Sequence, residues 1–213
     1  HQPSLAYLPY LLTGDYYYLE ELQFWAQYNA FSSNPNYREN RKGLLKPGQV
    51  RGQAWSLRSL AEAAYITPDN HPLKAAFTEI VNSNLDWYNA EYPNNPDANA
   101  LGFIAGGPAI VYRKGTALAP WQDDFFTQAV GHAADLGFAK AKPLLRWKAR
   151  FPVARMVGEG FCWIDAANYN LPVREHAKAP YFKTIGEVFR ANRAPEIASL
   201  PCGSGEMAAA LKL

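Results

Sequence analysis

The sequence predicts an all-α protein built from helical hairpins, and three observations carry that reading. Segments that are apolar nearly all round alternate with segments bearing one apolar stripe at helical spacing. The first kind reads as inner helices and the second as outer helices with one wet face. Each inner helix is separated from its outer neighbour by breaker and capping residues, near residues 14, 68 and 137. Strand is confined to 102–113, where a short β-hairpin is predicted.

The clearest hairpin spans 52–66 and 72–92. In the first helix, Ala54, Trp55, Leu57, Leu60, Ala61, Ala63, Ala64 and Tyr65 leave little room for a solvent face. In the second, Leu73, Phe77, Ile80, Val81, Leu85 and Tyr88 form the stripe, and Lys74, Glu79, Asn82 and Asp86 fill the other side. Between them, Thr67-Pro68-Asp69-Asn70 ends one helix and offers Asp or Asn as the next N-cap. The plan recurs at 3–13 and 16–31, with Gly14 as breaker and Asp15 as cap. It recurs again at 121–136 and 138–157, where Gly137 stops the inner helix. Pro143 and Pro152 predict that the last outer helix is kinked or split. Tyr16, Tyr17 and Tyr18 cannot share one buried stripe, so at least one is predicted to be exposed. The connections 32–49 and 93–120 are long, and the Phe, Ile and Tyr content of the second predicts an ordered wall over the helix ends.

After Gly158 the pattern weakens, with short helices predicted at 161–169, 182–191 and 203–213. The expected organisation is a helical-hairpin unit over 1–157, with 158–213 as a less regular segment of the same domain. The opening on His1 and the apolar finish at Leu213 predict a piece of a longer chain. Apolar flanks suited to self-association or a neighbouring domain follow from that expectation.

Composition narrows the function classes. A chain of 213 residues buries a sizeable single core. An aromatic content of 14% excludes a disordered chain, and a net charge of +2 excludes a strongly polycationic or polyanionic protein. Cys162 and Cys202 are too few for a disulfide scaffold; one bridge and two buried thiols both fit. No run is long and apolar enough to span a bilayer, and no nucleic-acid motif is present, so neither membrane nor nucleic acid is an expected partner. No two histidines have metal-ligand spacing, and neither a metal nor a cofactor is predicted. His132, near the end of an apolar helix, reads as a hydrogen-bonded core residue. Lys140, Lys142, Arg146, Lys148, Arg150 and Arg155 form a run without an acid between Asp135 and Glu159. It reads as a solvated outer-helix face, with binding of an anionic polymer as the sharper alternative.

Successive inner and outer helices, with the phrases Tyr10-Leu-Leu-Thr-Gly-Asp15, Arg51-Gly-Gln-Ala-Trp55 and Trp121-Gln-Asp-Asp124, resemble the (α/α) toroid. This is the barrel of the six-hairpin glycosidases and the α/α polysaccharide lyases. The resemblance covers roughly residues 3–157. A complete toroid has six hairpins and this chain supplies three to four, so the resemblance implies an incomplete or truncated toroid.

The resemblance also implies a site, because toroid inner helices run parallel and start at one opening. The starts here offer His1 and Gln2, then Arg51, Gln53 and Trp55, then Trp121, Gln122, Asp123 and Asp124. Tryptophan faces stack on the C–H faces of a pyranose, and planar polar groups pair with its hydroxyls. Arg51, Gln53, Trp55, Trp121 and Gln122 are therefore the expected substrate-binding set. Asp123, Asp124 and His1 are the candidate catalytic groups. Glycoside hydrolysis needs two carboxyls about 5–10 Å apart across the scissile bond. Neighbours on a helix diverge by about 100°, so one of the two aspartates would need a partner such as Glu159 or Asp165. A lyase would instead need a base and a group that neutralises a uronate, roles that His1, Tyr7 and Arg51 fit. The leading expectation is a carbohydrate-active domain that binds, and in an enzyme would cleave, a polysaccharide. The alternative is a non-catalytic helical scaffold of a larger bacterial or phage-type assembly. Exposed tryptophans favour the first, and a wide apolar contact face favours the second.

Overall fold

The structure, a computed structural model, describes residues 4–32, 35–36, 38–45 and 48–211. It is mostly helical, as predicted. The first hairpin is α1 (Tyr7–Thr13) and α2 (Tyr16–Phe31). Gly14 closes α1 in the left-handed region, at φ 67°, and the Asp15 carboxylate accepts from the Tyr17 amide to open α2. Tyr16 and Tyr17 are exposed and Tyr18 is half-buried, as three adjacent rings require. The second hairpin is α3 (Val50–Ile66) and α4 (Pro72–Glu91). Its N-cap is neither Asp69 nor Asn70: His71 takes the role, its Nδ1 accepting from the Leu73 amide at 3.2 Å ahead of Pro72. The third begins with α5 (Pro120–Asp135). The predicted outer helix is indeed split, into α6 (Ala141–Lys148) and α7 (Arg150–Val157).

Beyond these lie α8 (Ile185–Asn192), α9 (Pro195–Ala198) and α10 (Gly205–Leu211). A capping box between Thr184 and Glu187 opens α8. The helix expected over 161–169 reduces to one 3₁₀ turn at Trp163–Asp165. Cys162 and Cys202 are bonded, and a small second core of Cys162, Phe189 and Met207 sits beside the bridge.

The β-hairpin expected over 102–113 does not form. Strand β1 (Ala117–Leu118) pairs antiparallel with β2 (Leu171–Pro172), and Tyr112 makes one bridge to Ala117. The backbone polar groups of 102–104 are taken by side chains instead, which leaves no ladder to build. Asn99 Oδ1 accepts from the Gly102 and Phe103 amides, and Asp123 Oδ1 accepts from the Ile104 amide at 2.9 Å. Phe103 and Ile104 are buried, so the segment is the ordered wall its composition predicted.

α3 is the central element. It packs against α2 and α4 on one side and along α5 on another, while α6 covers α5. The α3–α5 contacts run from one end of the pair to the other. The Arg51 amide donates to Gln122 Oε1, Trp55 meets Phe125, and Glu62 meets His132. The last two pairs are each seventy residues apart, so α3 and α5 are parallel and in register. Residues 51, 55, 58, 62 and 65 on α3, and 121, 125, 128, 132 and 135 on α5, therefore form two facing stripes with the same 4-3-4-3 spacing. Glu62 is buried beneath its neighbours; the other nine remain at least partly exposed.

Candidate functional site

The starts of α3 and α5 meet at an aromatic patch. The Gln122 side chain ties them: its Oε1 accepts from the Arg51 amide at 3.3 Å, and its Nε2 faces the Tyr112 hydroxyl at 3.4 Å. The Arg51 guanidinium lies over Trp121, 5.7 Å from the ring centroid, and its Nε donates to Gln49 Oε1 at 3.2 Å. It makes no ion pair among the described residues. Tyr169 completes the patch, edge-on to Tyr112 at 5.6 Å and tilted against Trp121 at 6.1 Å. Trp121 is 37% exposed and Tyr169 63%. The Tyr112 phenol is raised above its ordinary pKa, first by its hydrogen bond with Tyr169 and then by burial, while the Arg51 charge opposes the shift.

One turn below, Trp55 meets Phe125 at 4.6 Å and carries the Arg58 guanidinium over its ring. Trp55 and Trp121 thus sit on adjacent rungs of one face. Gln53 points elsewhere, as two residues along a helix require. It is buried, donates to the Gly48 carbonyl and accepts from the Tyr88 hydroxyl.

The two aspartates hold the patch from behind. Asp123 is buried; its Oδ2 takes the Lys148 ammonium at 2.5 Å, and Lys148 also donates to the Gly102 carbonyl at 2.9 Å. Burial lowers the Lys148 pKa, and Asp123 opposes that shift. Asp124 pairs with Arg155, whose other nitrogen donates to the Ala166 carbonyl. Burial raises the Asp124 carboxyl, against the pull of Arg155. The basic run is therefore not one solvated face. Lys148 and Arg155 are buried counter-ions because α6 and α7 lie against α5, and Lys140 pairs with Asp86 on α4.

His1 and Gln2 lie outside the described residues. The start of α1 is level with the lower half of α3: the Ser4 amide faces Ser59 Oγ at 3.5 Å, and the Tyr7 ring meets His132 at 5.8 Å. Among the described residues, the patch is built from the α3 and α5 starts and from Tyr112 and Tyr169. Asp165 is buried and held by Arg193 and Asn192, and Glu159 is exposed. Those two loop tyrosines carry no periodic signal and were not among the predicted residues. His132 is hydrogen-bonded as expected, to Glu62 at 3.1 Å, but it also lines a surface cavity of about 470 Å³. Comparison with protein families, curated proteins and solved structures finds no match to this chain.

Proposed function

We propose that this chain is a carbohydrate-binding arc of the (α/α) toroid type, and that it takes an oligosaccharide at the Trp121–Tyr169 patch. The observation that carries the reading is the exposed Trp121 face. It stands beside an arginine that has no acidic partner among the described residues and beside two tyrosine hydroxyls. An apolar ring flanked by planar donors suits the C–H face and the hydroxyls of a pyranose. Asp123, Gln53 and Gln122 serve as supports in this reading, since they are buried and their polar atoms are already bonded. Asp124, the other carboxyl of the pair, is likewise held, by Arg155, so the reading is one of binding and assigns no cleaving group. The disulfide fits an oxidising compartment, where a polysaccharide would be met.

The test is calorimetric titration of an oligosaccharide panel, neutral and uronic, against the parent and Trp121→Ala. Stacking on tryptophan is worth about 0.5–1.5 kcal/mol beyond area burial, so the variant should bind several-fold more weakly while remaining helical. Equal binding by both proteins, or no binding by the parent, rejects the reading.

One observation favours the scaffold alternative. α1 buries none of its residues; Leu8, Leu11 and Leu12 are exposed, as is Leu5 just before it. On α7, Val153, Met156 and Val157 are exposed too. Under that reading these flanks meet a second copy or a neighbouring domain, and sedimentation velocity should show association that Leu8→Lys with Leu12→Lys abolishes.

A further inference from the structure

We infer that the oligosaccharide site continues down the α3–α5 face to a second binding locus, formed by His132 with Glu62 behind it and Tyr7 beside it, which takes a neutral, hydroxyl-rich distal sugar unit. This rests on the carbohydrate reading of the Trp121 patch.

Eleven residues separate Arg51 from Glu62 on α3, and eleven separate Trp121 from His132 on α5. At about 1.5 Å per residue the two loci are about 16 Å apart, a span that needs several linked sugars. The rungs between them continue the chemistry of the upper patch. Trp55 and Phe125 give an aromatic step, and Arg58 and the exposed Gln128 give a polar one.

At the lower end, Glu62 is fully buried. Its Oε1 accepts from both Arg58 Nε, at 2.9 Å, and His132 Nε2, at 3.1 Å. Its Oε2 has no hydrogen-bond partner among the described residues. A carboxylate in the seam of two helices is costly where an alanine would pack, unless the charge orders something. What it orders is the imidazole. Nε2 faces Glu62, and Nδ1 has no hydrogen-bond partner among the described residues. The ring is partly exposed, and one edge borders the 470 Å³ cavity between α5 and the α6–α7 pair, beside the α3–α5 face, with Thr127, Gln128, Asp135, Leu145 and Pro152 in its lining. Tyr7 lies against the same imidazole, edge-on at 5.8 Å. Burial raises the Tyr7 phenol pKa, with Tyr65 and Glu62 adding to the shift, so Tyr7 stays a neutral hydroxyl.

His132, Gln128, Thr127 and Asp135 offer a mixture of donors and acceptors here, which suits a ligand whose hydroxyls can both donate and accept. Asp135 lines the same cavity, and no lysine or arginine among the described residues does, so an anionic substituent is disfavoured at this end. The Arg51 end has no such acid. The two ends therefore read one chain differently.

The experiment is calorimetry over a disaccharide-to-hexasaccharide series of whichever panel sugar binds the parent. Affinity should climb about tenfold once the chain spans both loci, about 1.4 kcal/mol. Gln128→Ala, a change on the exposed surface, and Glu62→Gln, which keeps the side-chain shape, should each erase that gain and leave disaccharide affinity unchanged. Trp121→Ala should weaken every length. An affinity independent of length, or Gln128→Ala binding the hexasaccharide as the parent does, overturns the second locus while the upper patch stands. Failure of every sugar to bind the parent removes both.

Discussion

Lys148→Met is expected to be among the most damaging single changes in the protein, although it removes no apolar contact. The lysine stem is fully buried, and methionine fills nearly the same space. What disappears is the ammonium between Asp123 Oδ2 and the Gly102 carbonyl. Asp123 is then a buried carboxylate with a single remaining donor, the Ile104 amide. Removing one member of a buried ion pair costs about 3–5 kcal/mol, against a total stability of order 5–15 kcal/mol for a domain. Asp123→Asn combined with Lys148→Met removes both charges and keeps an acceptor for Ile104. The double variant should recover about 1–2 kcal/mol of the loss, within the range measured for coupled neighbours.

Asp123→Asn alone adds a test by pH. Burial already holds the Lys148 pKa below its ordinary value, and losing the opposing aspartate lowers it further. Between that lowered value and about 10.4, the folded state binds fewer protons than the unfolded state, so stability rises with pH. The deficit of Asp123→Asn should therefore narrow from pH 7 toward pH 10. Urea unfolding across that range provides the measurement. A Lys148→Met protein within about 1 kcal/mol of the parent, or a deficit that widens with pH, would refute the account.

Three further outcomes follow from local geometry. Reducing Cys162–Cys202, which closes a separation of 40 residues, should cost about 4 kcal/mol in the chain-entropy description. Because its satellite core is small, limited proteolysis with reductant should open cleavage within 193–205 while α3 and α5 survive; identical fragments with and without reductant would contradict this. Gly102→Ala should destabilise by about 2–4 kcal/mol, since φ is +87° and a Cβ there would lie 2.3 Å from the Trp147 carbonyl oxygen. Gly14→Ala, at φ +67° with nothing within 4 Å, should cost only the left-handed backbone term of about 1 kcal/mol; thermal unfolding of the pair separates the two cases.

The helices were legible because each carries its own periodicity and punctuation. Gly14, Asp15 and Gly137 do locally what the sequence says they do, and Pro152 lies just past the break it predicts. What was hidden is pairing across distance. Lys148 sits in a basic run that reads as solvated, and only the packing of α6 on α5 turns it toward Asp123, 25 residues earlier. Gln53 and Arg51 share a helix start, yet the helical angle sends one to Tyr88 and the other to Trp121. Two-residue strands such as Ala117–Leu118 have no alternation to detect. The Glu62–His132 contact did leave a trace, since the 4-3-4-3 spacing of polar and aromatic residues recurs seventy positions later. Overlaying the two helices at that offset would have exposed it.

The register of α3 against α5 makes their shared face a matter of phase rather than of distance along the chain. The connection over 92–119 could change length without moving a single facing pair, provided α5 still docks at the same angle. One residue inserted between Phe125 and Gln128 is different. It would swing everything below it by about 100°, sending His132 away from Glu62 while Trp121 kept its place over Arg51. Like two dials set to the same hour, the helices agree only while neither gains a tick. Insertions are therefore tolerated in the connections wherever they leave Tyr112, Tyr169 and the 102–104 wall in place, and not within the two helices.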